Sequence, residues 1–199
     1  MEFGIESANE GVRERVLGKK FTNQDVGKVA GWLKELGIRS TAYFILGLPG
    51  ENIDDLIGSN MMAYMLAEEY GVETKLVAGT TLFPGTKVTG YARRRGLVPD
   101  LNWTGVDVGD YMAGDLPILA EHGVGAGLIN LLQRELDVIG MAKETGLQVS
   151  PLRRYSMIHN ILAGAKFGIS TQAVRDGEIE ALHENLPSAP GKKEPPAKN

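Results

Sequence analysis

The stretch that most constrains this chain is residues 43–52, YFILGLPGEN, where an apolar run stops in two glycines flanking a proline. Upstream, residues 38–47 are rich in β-branched and aromatic side chains, the pattern of a buried strand. Gly47 and Gly50 lack a Cβ and let the backbone approach another group closely, and Pro49 fixes one φ and stiffens the turn. Asn52 or Glu51 then opens a helix expected to reach about Tyr70 and to close at Gly71. Its expected apolar face is Ile53, Leu56, Ile57, Met61, Tyr64, Met65 and Ala67. A buried strand followed at once by a helix is one β-α unit, and a chain built on it must bury the sheet under helices.

Two further units flank this one. The segment EFGIE reads as a short strand, after which Asn9 caps a helix to about Leu17, stopped by Gly18. Thr22 and Asp25 form a capping-box pair, with Val26, Val29, Ala30, Leu33 and Leu36 recurring at helical spacing and Gly37 as C-cap. Residues 72–83, VETKLVAGTTLF, read as a third strand, with a Pro-Gly exit and Thr86 capping a short basic helix that ends at Gly96. The order β-α-β-α-β-α, with short connections, predicts an α/β fold with right-handed parallel crossovers. In such a sheet, ligands bind at the C-terminal ends of the strands. ESAN, GLPGE and TLFPGT are the three segments that fall there.

Beyond residue 97 the pattern changes to a loop with aromatic and acidic content, then a glycine-interrupted, mostly helical stretch, then one or two helices over 151–183. The tail LPSAPGKKEPPAKN is rich in proline and lysine and is expected to be disordered. The predicted organisation is therefore 1–98 as an α/β unit, 99–185 as a helical extension and 186–199 as a tail.

Composition narrows the chemistry. The 199 residues contain no cysteine, which removes disulfides, thiol nucleophiles and thiolate metal ligands together. His122, His159 and His183 are far apart in sequence and show no metal-ligand spacing. A net charge of -4 gives no reason to expect nucleic acid or an acidic membrane surface. No apolar run approaches the roughly 20 residues that span a bilayer, and the first ten residues do not read as a signal peptide, so a cytoplasmic setting is expected.

Each candidate site residue has two readings on sequence grounds. The glycine turn either contacts a ligand through N–H groups at the helix start or is an ordinary strand-to-helix turn. Glu51 sits where a helix-start charge gains about 0.3–1 kcal/mol, and it disfavours a phosphate there. Glu6 either accepts hydrogen bonds from a ribose or amine or caps the following helix. Arg93, Arg94 and Arg95 form either a solvated face or a phosphate site. The tyrosines and Trp32 read as packing residues; Trp103 lies in a loop among acids and has no assigned role.

Taken in order, FGIESANEGVRERVLGKKFT, GIRSTAYFILGLPGEN and TLFPGTKVTGYARRRGLV resemble the second half of the radical S-adenosylmethionine (SAM) core, in its Elongator-like and cobalamin-associated branch. The resemblance covers about residues 2–98 and implies a partial (β/α) barrel made of the C-terminal three β-α units, followed by a mostly helical extension. It implies that Glu6 and Ser7 contact the ribose or methionyl part of SAM. Ile45, Gly47, Leu48, Pro49, Gly50 and Glu51 would line the adenine side, with Leu82 and Phe83 in apolar contact. Tyr43 stands where the family has a glycine, and the acid Glu51 comes one residue late.

That family cleaves SAM with an electron from a 4Fe-4S cluster held by a CxxxCxxC loop, to give a 5′-deoxyadenosyl radical. This chain has no cysteine, so the resemblance implies a cluster supplied by a missing N-terminal half or a partner chain, and a chain inactive alone. A partner completing the barrel, or self-association through an unpaired strand edge, is therefore expected. The alternatives are a catalytically inactive α/β remnant acting as an interaction or assembly module, and an unrelated barrel piece binding a sugar phosphate at the turn. The substrate and the role of residues 99–185 are not legible.

Overall fold

The computed structural model describes residues 1–96, 118–119, 124–147 and 149–168. Strand β1 spans Glu2–Glu6. Asn9 Oδ1 accepts the Val12 N–H and starts helix α1, Glu10–Val12, which widens into a π-helical turn over Arg13–Leu17. Gly18, at φ 76, ends it in the left-handed conformation that favours glycine. Helix α2, Asn23–Glu35, opens on a reciprocal capping box between Thr22 and Asp25. Strand β2 is Thr41–Leu46, helix α3 is Ile53–Tyr70 and strand β3 is Glu73–Ala78.

The three strands form one parallel sheet in the order β1-β2-β3, with Thr41 beside both Glu2 and Glu73. Alternation along β2 and β3 divides the sheet into two faces. Ala42, Phe44, Leu46, Leu76 and Ala78 are buried in the main core with Val26 and Ala30 of α2 and Leu56, Ala63 and Leu66 of α3. Tyr43 and Ile45, on the opposite face, are half-buried, and Lys75 and Val77 are exposed. A helix-crossover sheet is expected to be covered on both faces; among the described residues this one is covered fully on one.

The chain then leaves the sheet. Gly79, at φ 84, turns residues Thr80–Thr81 away as strand β4, which pairs antiparallel with strand β5, Ile118–Leu119. The third strand is thus shorter than the sequence suggests, because one glycine redirects the backbone. Helix α4, Lys87–Arg94, is capped by Thr86 and packs Val88 and Ala92 with Val12, Val16, Leu48 and Leu82 in a second cluster. Helix α5, Ala126–Glu144, and helix α6, Pro151–Lys166, add Ile129, Leu132, Ile158 and Leu162 to the main core.

Helices α5 and α6 also close the β3 edge. Glu73 N–H donates to Ser40 O and Gly79 N–H to Leu46 O, so the odd residues of β3 turn their backbone towards β2 and the even ones turn outwards. Outward-facing Thr74 O accepts from Arg154 Nη1 at 2.6 Å, and Arg154 Nη2 also donates to Thr74 Oγ1. Outward-facing Ala78 N–H donates to Gln133 Oε1 at 3.2 Å.

The described residues establish the coarser expectation, a parallel α/β sheet, here of three strands. Two other expectations change. The buried face of α3 is Leu56, Ser59, Asn60, Met62, Ala63 and Leu66, whereas Met61 and Met65 are exposed. Apolar residues ring this helix, so periodicity alone does not select the face; hydrogen bonds do. Ser59 Oγ accepts Ala8 N–H, and Asn60 Nδ2 donates to Tyr155 O. Trp32 is 58 % exposed, not packed. Helices α5 and α6 fall within residues 99–185, while the boundary at residue 98 and the tail 186–199 lie outside the described residues.

Candidate functional site

The C-terminal ends of β1 and β2 are tied together by one buried carboxylate. Glu51 lies under the turn that leaves β2 and is 2 % exposed. Its Oε2 accepts the Gly47 and Leu48 N–H groups at 2.9 and 2.8 Å, and its Oε1 accepts Ser7 Oγ–H. The sequence left open a ligand contact through helix-start N–H groups or an ordinary strand-to-helix turn, and placed Glu51 near that helix start. Glu51 instead binds two N–H groups of the turn itself, and α3 is capped by Asn52, whose side chain accepts Asp54 and Asp55 N–H while Asp55 accepts Asn52 N–H.

Burial pushes the Glu51 carboxyl up to about 7, against the hydrogen bonds from Ser7, Leu48 and Gly47 that favour its charged form. The nearby Asp55 charge adds to the rise. Glu51 therefore changes protonation near neutral pH inside the fold.

Ser7 is held from its other side by an arginine that sequence reasoning missed. Arg13 is fully buried in the π-helical turn, and its Nη1 donates to Ser7 O at 2.6 Å and to Asn23 Oδ1 at 2.7 Å. Nη2 donates to Phe21 O at 3.0 Å, and the guanidinium stacks over the Phe21 ring at 4.6 Å. Burial lowers the Arg13 pKa, offset in part by Glu10. Helical periodicity gives no signal for such a residue, because its partners, two backbone carbonyls and the Asn23 side chain, are brought in by the fold.

Glu6 is the one described non-glycine residue with positive φ, at 72. It sits at an irregularity of the β1–β2 register, between Gly4 and Glu6. Its carboxylate folds back along the strand: a Cβ on Gly4 would stand 2.0 Å from Glu6 Oε1. Lys19 Nζ fixes it there, donating to Glu6 Oε1 at 2.7 Å and to Gly4 O at 2.8 Å. Glu6 thus neither caps α1, which Asn9 does, nor projects freely.

The remaining candidates divide by burial. Gly47, at φ 97, needs to be glycine for a second reason: a Cβ would lie 2.6 Å from Ile129 Cδ1 of α5. The close approach the sequence implied is met by this chain's own helix. Leu48 and Leu82 are buried together in the second cluster, and Pro49 is buried in the turn. Gly50, at φ 84, continues the turn. Ile45 faces the less covered side of the sheet beside Tyr43, and Phe83 is 39 % exposed. The structure brings Ser7, Gly47, Leu48 and Glu51 together. His159 stacks on Tyr155, which stacks on Tyr64, as part of α3–α6 packing. Trp103, His122 and His183 lie outside the described residues.

No family model matches the chain. A curated protein from Pyrococcus horikoshii, named "uncharacterized methyltransferase PH0819", is 31 % identical over 101 residues, which is 51 % of this chain. The chain spans 21 % of the length of that relative.

This finding corrects the assignment drawn from the three motifs. The relative carries the name of a methyltransferase, and nothing in that name supports a radical SAM enzyme. The reductive cleavage of SAM to a 5′-deoxyadenosyl radical has no support, and with it falls the reading of the chain as the C-terminal portion of such an enzyme. The iron–sulfur cluster, expected only from a missing N-terminal half or a partner chain, is likewise without support; among the described residues no group of three or more His, Cys, Asp or Glu is placed to hold a metal ion. The motifs misled because each is generic strand-end chemistry: a glycine turn, a strand-end acid, a Pro-Gly exit. Among the described residues, no helix is long and apolar enough to cross a membrane.

Proposed function

We propose that this chain forms part of a methyltransferase and that the C-terminal rim of its sheet contributes to binding SAM, the methyl donor. The observation that carries this reading is Glu6. A non-glycine residue in the left-handed region costs on the order of 1–3 kcal/mol and persists where its surroundings hold it, commonly at ligand sites. Here Gly4 makes the space and Lys19 the electrostatic hold for a carboxylate at the end of a parallel strand, where such sheets bind ligands.

SAM supplies a methyl group activated on a sulfonium. The residues suited to the rest of the molecule are Glu6, whose carboxylate suits ribose hydroxyls, and the half-buried Tyr43 and Ile45, whose apolar surface suits a purine. Phe83 is a further apolar candidate. Ser7, Gly47, Leu48, Pro49 and Glu51 act beneath this surface, with Gly50 exposed at the turn: the Glu51 hydrogen bonds fix the turn, and Leu82 packs under it. The name of the relative supports methyl transfer, and the strand-end geometry supports the place.

Titration calorimetry of the chain with SAM and with S-adenosylhomocysteine tests the reading. Binding is expected, weakened about tenfold by Glu6→Gln, which is about 1.4 kcal/mol. Glu2→Gln, at the opposite end of β1, leaves it unchanged. An absence of heat with both ligands in excess, or equal loss in both variants, sinks the proposal.

A further inference from the structure

The two outer strands of the sheet end differently, and the difference points to a partner. On β3 an outward carbonyl and an outward N–H are both filled by side chains of α6 and α5. On β1, Thr41 N–H donates to Met1 O, so Phe3 turns towards β2 while Glu2 and Gly4 turn outwards. Of their backbone groups, Gly4 O is met by Lys19. Alongside runs a groove of about 270 Å³ between β1 and α2, lined by Phe3, Ile5, Phe21, Val26 and Val29, with Asp25 at its side. An edge strand with an apolar groove beside it is the template for adding a further strand.

We propose that the β1 edge receives an extended strand from a partner polypeptide. That strand sets apolar residues into the groove and basic ones opposite Glu2. The charge pattern decides between a foreign strand and a second copy. Two β1 strands related by a twofold axis at Gly4 would place Glu2 of each directly opposite Glu6 of the other, and like charges so paired are destabilising. Glu6 already has Lys19 as its counter-ion, whereas Glu2 is exposed and has no ion pair among the described residues. A lysine on the incoming strand answers Glu2, and valine or isoleucine fills the space beside Phe21 and Val29. The self-association that an open edge suggests is therefore disfavoured at this edge, and a heterologous strand is favoured.

The test is hydrogen exchange on the full chain with a short synthetic peptide alternating valine and lysine. At roughly millimolar peptide the Gly4 amide is expected to slow about tenfold, with no change at Ala78 on the closed edge. A peptide alternating valine and glutamate is expected to give no protection. Val29→Lys removes the effect by filling the groove with charge, and Glu2→Lys reverses the preference between the peptides. Equal protection by both peptides, or none by either, overturns the proposal. So does a Gly4 amide already protected in the chain alone, which would mean that another part of this chain holds the edge. Concentration-dependent dimerisation that protects Gly4 overturns it in favour of a second copy.

Discussion

Among the described residues, the β3 side of the sheet is finished by helices α5 and α6, and the β1 side by a π-helical turn and the loop after it. On the β3 side, α5 and α6 bring Ile129 onto Gly47, Gln133 onto Ala78 and Arg154 onto Thr74. On the β1 side, the π-helical turn brings Arg13 behind Ser7, and the loop after it brings Lys19 onto Glu6 and Gly4. The first set satisfies a sheet edge; the second fixes the strand end where the candidate ligand surface lies. Stability is thus concentrated on one side and adaptable chemistry on the other, the division expected when a rigid scaffold carries a site.

Four substitutions measure that contrast, taken from the largest effect down. Gly47→Ala forces a Cβ at φ 97 into Ile129 and is expected to cost about 4 kcal/mol in urea unfolding. Ile129→Val in the same chain recovers part of it; no recovery would show that strain at Gly47, and not α5, sets the cost.

Glu51 links the two sides, and its effect depends on pH. Its folded pKa of about 7 lies above the usual carboxylate value of 4.5, so the folded chain holds a proton that the unfolded chain has released between those pH values. Stability is highest below about pH 4.5 with respect to this group and falls as pH rises through 7, by about 3 kcal/mol in all. Glu51→Gln is expected to flatten that slope, because an amide keeps one acceptor for Gly47 and Leu48 and does not ionise. A slope unchanged in the variant would assign the dependence to other groups.

Arg154→Ala leaves Thr74 O and Oγ1 without their donor at the closed edge, and is expected to cost about 2 kcal/mol. Burial already lowers the Arg154 pKa, with Glu73 opposing, so this cation is held at the expense of its hydration. Lys19→Ala, on the other side, removes a partly exposed ion pair and is expected to cost less than about 1 kcal/mol, while freeing Glu6. Equal losses from the two variants, measured in the same titration, would erase the difference between the edges.

Much of the local architecture was legible in the sequence. Asn9, Thr22 with Asp25, Asn52 and Thr86 each cap the helix that capping chemistry assigns to them. Gly18 and Gly71 end theirs in the left-handed region. These signals are short-range, and a capping hydrogen bond spans three residues whatever the tertiary fold. The family assignment failed where its motifs were too common in strand-end turns to distinguish one cofactor chemistry from another. The face of α3 failed in part because Met61 and Met65, which are exposed, carry as much apolar character as the residues that are buried.

The sequence alone determined the alternation of strands and helices, the helix ends, and the exclusion of thiol chemistry, because each depends on residue type and near neighbours. Only the tertiary structure decided what the glycine turn holds. It placed Glu51 across from Ser7, 44 residues away, and Ile129 against Gly47, so that a turn legible as a ligand cradle is filled by the chain's own carboxylate and helix. It also decided which edge of the sheet is closed, since the donors and acceptors that close it, Arg154 and Gln133, are 80 and 55 residues from the strand they serve. Such pairings follow from burial and the need to satisfy every enclosed polar group, and no local pattern announces them.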